Sequence, residues 1–476
     1  MNRQQRRAEK KQAGGGTSQD LSLAAQRLFE TAIQQQMAGR PDEAERLLRQ
    51  VLARHPRHAA SLHILGVMAQ HSGHDDMAFE LIRKAIASDP GNASSHSNLG
   101  NLLVQKGRLD EAVAAHRRSL ALEPNAPVAL NNLANALKAQ QRLAEAIETY
   151  RAAIDLQPNE PQVHYNLAIA LLASGDMEAG WEEHEARWRT RQFIGDRRDF
   201  HQPQWLGEAA EGRTLLIHAE QGLGDTLHFC RYACLAAAHG LRVILEVQRP
   251  LVRLLRGLSG VDQTLAKGEV LPEFDLHCPM LSMPLALGTT IATIPGEVPY
   301  LHADEARAAD WRARLAELGP RGPRVGLVWA GNPRKNLAGA AAIDRRRSIA
   351  PDRLAPLFEV SGPRFFSLQK DGPAAPEHFA LTDFMGEMED FADTAALIAN
   401  LDLVVSVDTS VAHLAAAMGK PVWLLDRFDP CWRWLTGRRD SPWYPTLRLY
   451  RQPQPGDWEP VLAEVARDLR AFTSHH

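Results

Sequence analysis

Two short stretches of the chain have residue types and spacing that suit chemistry. The first, HAEQGLGDTLHF at 218–229, follows an apolar run and sets Gly222 and Gly224 at a strand-to-helix turn, with Asp225 directly behind them. The residues leave three readings open. Two glycines after a strand begin a dinucleotide fingerprint, and Glu246 stands 22 residues beyond Gly224, but the third glycine position holds Leu227. In a first helical turn, Asp225 satisfies an orphan N–H and faces the positive end of the helix dipole. At the carboxyl edge of a sheet, the same carboxylate can take a proton from an acceptor hydroxyl as general base.

The second stretch is VVSVDTSVAHLAAAMGKPVWLL at 404–425. A strand ends at Asp408, and Thr409 and Ser410 open a helix. The free N–H groups and small hydroxyls of such a helix start suit a diphosphate. His413 lies one turn in and can face the same anion. The plainer reading makes Asp408 and Ser410 caps and His413 a packed core residue.

Cations for that anion stand nearby in sequence. Lys335, Arg345, Arg346 and Arg347 fall in AGNPRKNLAGAAAIDRRRS, read as a basic loop after a strand, and Lys370 ends the next strand. They stabilise a departing diphosphate or form a solvated charge run. Trp432, Trp434, Trp443 and Tyr444, beside Arg433, stack on a base or sugar, or pack between domains. Cys230 and Cys234 share a helix face without histidine partners and read as buried thiols.

The elements that position these residues alternate strand and helix, which implies parallel sheets covered on both faces. A first Rossmann-like half spans 213–305 and a second spans 320–476, behind a Pro- and Gly-containing linker at 191–212. Ligands of such sheets bind beyond the carboxyl ends of the strands.

Ahead of them, over 21–190, runs a repeat. Pro56, Pro90, Pro124 and Pro158 step by 34 residues, as do Leu65, Leu99, Leu133 and Leu167, and Ala44, Ala78, Ala112 and Ala146. Gly39, Gly73, Gly107 and Gly175 share another phase, with Gln141 in the gap. About five repeats result. Asn98, Asn132 and Asn166 share one phase, and Asn101 and Asn135 a second, one turn on. Such a ladder can hold an extended peptide backbone, although repeat consensus alone also accounts for it.

Residues 1–20 are basic and then Gly/Ser-rich, and read as a disordered tail rather than a secretory signal. No apolar run is long enough to span a membrane. A net charge of −3 gives no reason to expect nucleic acid. Four cysteines without CxxC spacing suggest neither zinc nor disulfides and a cytoplasmic location. Peripheral membrane contact stays open.

The repeat resembles the tetratricopeptide (TPR) array, and its asparagines resemble the ladder in the TPR half of protein O-GlcNAc transferases. G-x-G-D after the first strand, with D-T-S-x-x-H-L-A-A-A-x-G-K-P later, resembles the ADP-heptose:lipopolysaccharide heptosyltransferase-like glycosyltransferases. The closer resemblance is to bacterial TPR-linked glycosyltransferases, through WAGNP (329–333), RRRS (345–348), SLQK (367–370) and SPWYP (441–445). That resemblance implies a TPR α-solenoid followed by a GT-B-like pair of Rossmann-like domains. It implies inverting, metal-independent transfer from a nucleotide-sugar to a protein or glycan acceptor recruited by the array, with no cofactor. Asp225 then matches the proposed base, and Gly222 and Gly224 the acceptor-side loop. Asp408, Thr409, Ser410 and His413 match the donor motif, with Asn332, Arg345, Arg347 and Lys370 beside it. This chain has D-T-S-V where heptosyltransferases carry glycine after Thr or Ser. Two other readings remain: a TPR scaffold with a non-catalytic α/β part, and a nucleotide-dependent oxidoreductase.

Overall fold

The computed structural model describes residues 23–319, 322–332 and 338–474. The expected basic tail and Lys335 lie outside them. Two compact units divide the chain, Met1–Val163 and His164–His476.

The first unit is built from antiparallel helix pairs. Helix α1 (23–37) precedes α2 (Pro41–Arg54), α3 (Ala59–His71), α4 (Asp75–Ser88), α5 (Ala93–Gln105) and α6 (Leu109–Leu122). Helices α7 (Pro127–Ala139) and α8 (Leu143–Leu156) follow, and α9 (Pro161–Ser174) begins the fifth pair. Pairs approach closely where one helix is small. A Cβ on Gly66 would lie 2.8 Å from Ile82, and one on Gly100 would overlap the ring of His116. Gly39, Gly73 and Gly107 turn the chain with positive φ, and Gln141, in their phase, is forced to φ 63°. An L side chain pays for that conformation in steric strain, which glycine avoids.

The expected array end at 190 does not coincide with the unit boundary. From His164 onward α9, and then α10 (Met177–His184), belong to the α/β unit. The reason is packing. Trp181 of α10 is buried, donates from Nε1 to the Thr289 carbonyl at 3.1 Å, and meets Trp432 edge-on at 5.2 Å. The 191–212 segment is likewise not a free linker: Gln204 bridges to His277, and Trp205 is fully buried.

The first sheet holds β1 (Thr214–His218), β2 (Arg242–Val247), β3 (Gln263–Ala266) and β4 (Leu276–Pro279), in the order β3-β2-β1-β4, all parallel. Its helices are α11 (Leu223–Phe229), α12 (Arg231–Ala238), α13 (Val252–Leu255) and α14 (Met283–Ala286). Helix α15 (Glu305–Glu317) leads to the second sheet and packs on its α18 (Phe391–Ile398).

The second sheet has β5 (Arg324–Val328), β6 (Arg364–Ser367), β7 (Leu381–Asp383), β8 (Leu403–Val407), β9 (Val422–Asp426) and β10 (Leu447–Arg451). Its order is β10-β9-β8-β5-β6-β7, again parallel. Helices α16 (Ala338–Arg347), α17 (Ala355–Phe358), α19 (Ser410–Ala417) and α20 (Glu459–Ser474) complete it. Every residue of β1, β8 and β9 is buried, as strands covered on both faces must be. Arg345, Arg346 and Arg347 end helix α16 rather than lying in the expected loop; their alanine-rich lead-in, AGAAAID, favours helix. Cys230 is buried as expected, but Cys234 is only half-buried, donating to the Ser259 carbonyl.

Candidate functional site at two helix starts

Strand order changes direction between β1 and β4 in the first sheet and between β5 and β8 in the second. Crevices at such points are where ligands of open α/β sheets bind.

The two sequence motifs meet. Helices α11 and α19 pack together, and a Cβ on Gly224 would lie 3.1 Å from the His413 ring and 3.5 Å from the Ser410 Cα. Gly224 therefore serves close approach of the two halves. Asp225 Oδ2 accepts from the Gly222 N–H at 2.9 Å, so the capping role is realised. Its Oδ1 pairs with Arg433 of the second half, whose guanidinium is buried over Trp432. In the sequence Arg433 stands out only as a neighbour of aromatics. No local spacing reveals a partner 208 residues away.

At the second crevice, Thr409 caps α19 without a side-chain bond to it, so among the described residues its side chain leaves the first-turn N–H groups for another acceptor. Thr409 Oγ1 lies 3.1 Å from Ser406 Oγ. Arg347 donates to the Asp408 carbonyl at 2.8 Å and pairs with Asp344 at 3.0 Å. A Cβ on Gly331 would overlap the Arg347 guanidinium and the Asp344 carboxylate, so a side chain there would displace this ion pair. The other expected donor residues lie on neighbouring elements. Arg345 is exposed on α16, Asn332 is exposed after β5, and Lys370 donates to the Met388 carbonyl at 2.6 Å beside a cavity of about 350 Å³.

His413 is buried, and burial holds its pKa down to about 4, against the opposing pull of Asp408. Its Nε2 lies 3.8 Å from Asp408 Oδ1 and its Nδ1 3.0 Å from Tyr444 Oη. Tyr444 Oη also lies 2.9 Å from Nδ1 of His228, on α11. Trp434 stacks on His413 at 5.3 Å, and Trp443 packs on His228 at 4.5 Å. The aromatic cluster thus packs the seam between the halves.

The first crevice is filled by the protein. Arg187, fully buried, donates through Nε and Nη2 to Glu220 at 2.8 and 3.0 Å and through Nη2 to Ser282 at 2.8 Å. Glu220 also accepts from the Leu281 N–H at 2.9 Å. Burial raises the Glu220 pKa, with Arg187 opposing. Glu246, which a dinucleotide ribose would need, is buried and paired with Arg198, and Leu227 is buried where the third glycine would sit. Both observations weigh against the oxidoreductase reading.

The asparagine amides are partly engaged inside the array. Asn98 Nδ2 lies 2.7 Å from His63 Nε2, Asn132 donates to Ser97 at 3.2 Å, and Asn135 accepts from Tyr150 at 2.7 Å. Asn101 is half-buried on α5, and Asn166 lies on α9 in the other unit.

Among the described residues, no three or more His, Cys, Asp or Glu side chains cluster to hold a metal, and no helix is long and apolar enough to cross a membrane.

Residues 374–425, which include the α19 motif, match glycosyltransferase family 9 (heptosyltransferase). Residues 35–93 and 81–114 match tetratricopeptide repeats, and 100–141 and 134–175 match a TPR repeat model. The chain carries TPR repeats and a segment similar to glycosyltransferase family 9. Protein FlbA of Caulobacter vibrioides is 30% identical over 331 residues, covering 64% of this chain and 54% of FlbA. The chain thus spans about half the length of that curated relative. Among solved structures, MamA of Desulfovibrio magneticus aligns with TM-score 0.32 at 20% identity, over 34% of this chain and 91% of its own. PilF of Pseudomonas aeruginosa gives 0.32 at 24% identity, over 35% and 76%.

Proposed function

We propose that the α/β unit transfers a sugar from a nucleotide-diphosphate donor, with inversion and without a metal, to an acceptor that the TPR array recruits. The reading rests on one juxtaposition: Asp225 and the open start of α19 lie on opposite sides of one contact between the halves. Asp225 takes the proton of the acceptor hydroxyl. The hydroxyl oxygen bonds to the anomeric carbon as the bond from that carbon to the diphosphate oxygen breaks. The nucleoside diphosphate leaves with the electron pair. The first-turn N–H groups of α19, with Asp408, Thr409, Ser410 and His413 around them, hold the diphosphate, and Arg347 braces the Asp408 backbone. Arg345, Lys370 and Asn332 remain donor contacts of this proposal, and the asparagines 98, 101, 132, 135 and 166 peptide contacts.

One observation favours the scaffold alternative. Both oxygens of Asp225 are bound within the chain, as a purely structural carboxylate would be. Titration calorimetry in EDTA with UDP, GDP, ADP, dTDP and NAD separates the readings. One diphosphate is expected to bind, and Asp408→Ala to weaken it. With the matching nucleotide-sugar, Asp225→Asn then lowers turnover by roughly 10²–10⁴-fold, the weight of a general base. Binding of none, with the fold intact, favours the scaffold. Binding of NAD alone revives the oxidoreductase.

A further inference from the structure

We infer that Tyr444 and His228 are positioning residues that fix the tautomer of His413, placing its single ring proton on Nε2, toward Asp408 and the start of α19. The functional part of this inference rests on the donor site proposed above. The proton placement itself does not.

Tyr444 Oη lies within hydrogen-bond distance of two histidine nitrogens, His228 Nδ1 at 2.9 Å and His413 Nδ1 at 3.0 Å. A phenol has one hydrogen, so it donates to one ring and accepts from the other. Tyr300 Oη, which donates to the Leu227 carbonyl at 2.8 Å and accepts from Arg231 Nη2 at 2.7 Å, lies 3.4 Å away, so for the Tyr444 hydrogen it is a farther and weaker acceptor than the ring nitrogen at 3.0 Å. Both histidines are buried, and burial keeps both neutral, with one N–H each.

The environment of His228 chooses the direction. Among the described residues its buried Nε2 has no hydrogen-bond partner. A proton there would be an orphaned buried donor, which is tolerated less readily than a bare lone pair, and it would also leave His413 facing the Asp408 carboxylate with a lone pair. The His228 proton therefore sits on Nδ1 and goes to Tyr444 Oη. The Tyr444 hydroxyl must then donate to His413 Nδ1. His413 is left with its proton on Nε2, 3.8 Å from Asp408 Oδ1. A ring free to hold its proton on Nδ1 would turn a lone pair toward the anion site and repel a phosphate oxygen. His228 shares α11 with Asp225, so the first half sets the proton on a donor-side residue of the second half.

Long-range ¹H–¹⁵N correlation of the full chain labelled with ¹⁵N-histidine reads the tautomer directly. His413 is identified by its absence in His413→Gln. The expected wild-type signal at pH 7.5 shows a protonated Nε2 and an acceptor Nδ1. In Tyr444→Phe that single pattern is lost, and the affinity for whichever of UDP, GDP, ADP or dTDP binds falls about tenfold, the weight of one hydrogen bond to a charged group. A protonated Nδ1 on wild-type His413 overturns the inference, and needs no folded variant. So does a Tyr444→Phe protein with unchanged tautomer. The two claims fail separately. The expected tautomer with no diphosphate bound sinks the donor site alone, while a bound diphosphate with the Nδ1–H tautomer sinks only the wiring.

Discussion

The two sheets are built alike, yet their crevices are finished differently. In the first, the side chains of Arg187, Glu220 and Ser282 satisfy one another where strand order changes direction. In the second, that place holds a helix start without a side-chain cap bond, a glycine under the Arg347–Asp344 pair and an arginine bonded to backbone. A crevice that saturates its own polar groups has been converted into structure. One that leaves donors to be met can bind. On the transferase proposal, this difference puts anion binding in the second half and leaves the first half its loop at Gly222–Asp225.

The sharpest way to break this contrast is Arg187→Met. It leaves Glu220 buried without its cation, a change that costs about 3–5 kcal/mol. Urea unfolding should show that loss in the α/β unit, and a second change, Glu220→Met, should restore much of it. A loss below about 1 kcal/mol would mean that water, not the ion pair, fills the crevice.

Acid tests the buried histidine of the second crevice next. Burial depresses His413 to about 4 and His218, at the end of β1, to about 3, both from 6.5. A histidine whose folded pKa is depressed contributes stability at pH above 6.5 and loses it as pH falls toward the folded value. For His413 the shift from 6.5 to about 4 corresponds to about 3 kcal/mol. Stability followed by urea unfolding from pH 7 to 4 should fall less steeply in His413→Asn than in wild type. Equal slopes would show that His413 is already charged in the folded protein, and would sink the neutral ring on which its proton placement depends.

Much of this was legible in the sequence, and the limit has a physical form. The 34-residue step revealed the helix pairs because each small residue faces a neighbour one helix away. Even the irregular Gln141 keeps the glycine phase, and the structure gives it the glycine conformation. Both motifs were readable because a strand end and a helix start are local. Their partners were not. Arg433 reaches Asp225, and Tyr444 joins two histidines, across separations that no periodicity encodes. Arg187 was hidden for a further reason: it lies in the segment read as repeat, and its role depends on the last repeat packing into the α/β unit.

Arg347→Met makes the smallest and most discriminating change. Its side chain is 21% exposed while Asp344 is buried, so the change is made together with Asp344→Asn, which avoids a buried carboxylate without its cation and should keep the stability cost to about 1 kcal/mol. What it removes is the bond that holds the Asp408 carbonyl, and with it the aim of the α19 start. The affinity for the bound nucleoside diphosphate should fall about tenfold, or about 1.4 kcal/mol, in the calorimetric titration. Arg187 and Arg347 then separate cleanly: the first is felt in unfolding, the second in binding. If Arg347→Met instead costs several kcal/mol of stability and leaves affinity untouched, the second crevice is as structural as the first. The scaffold reading would then gain what the transferase reading loses.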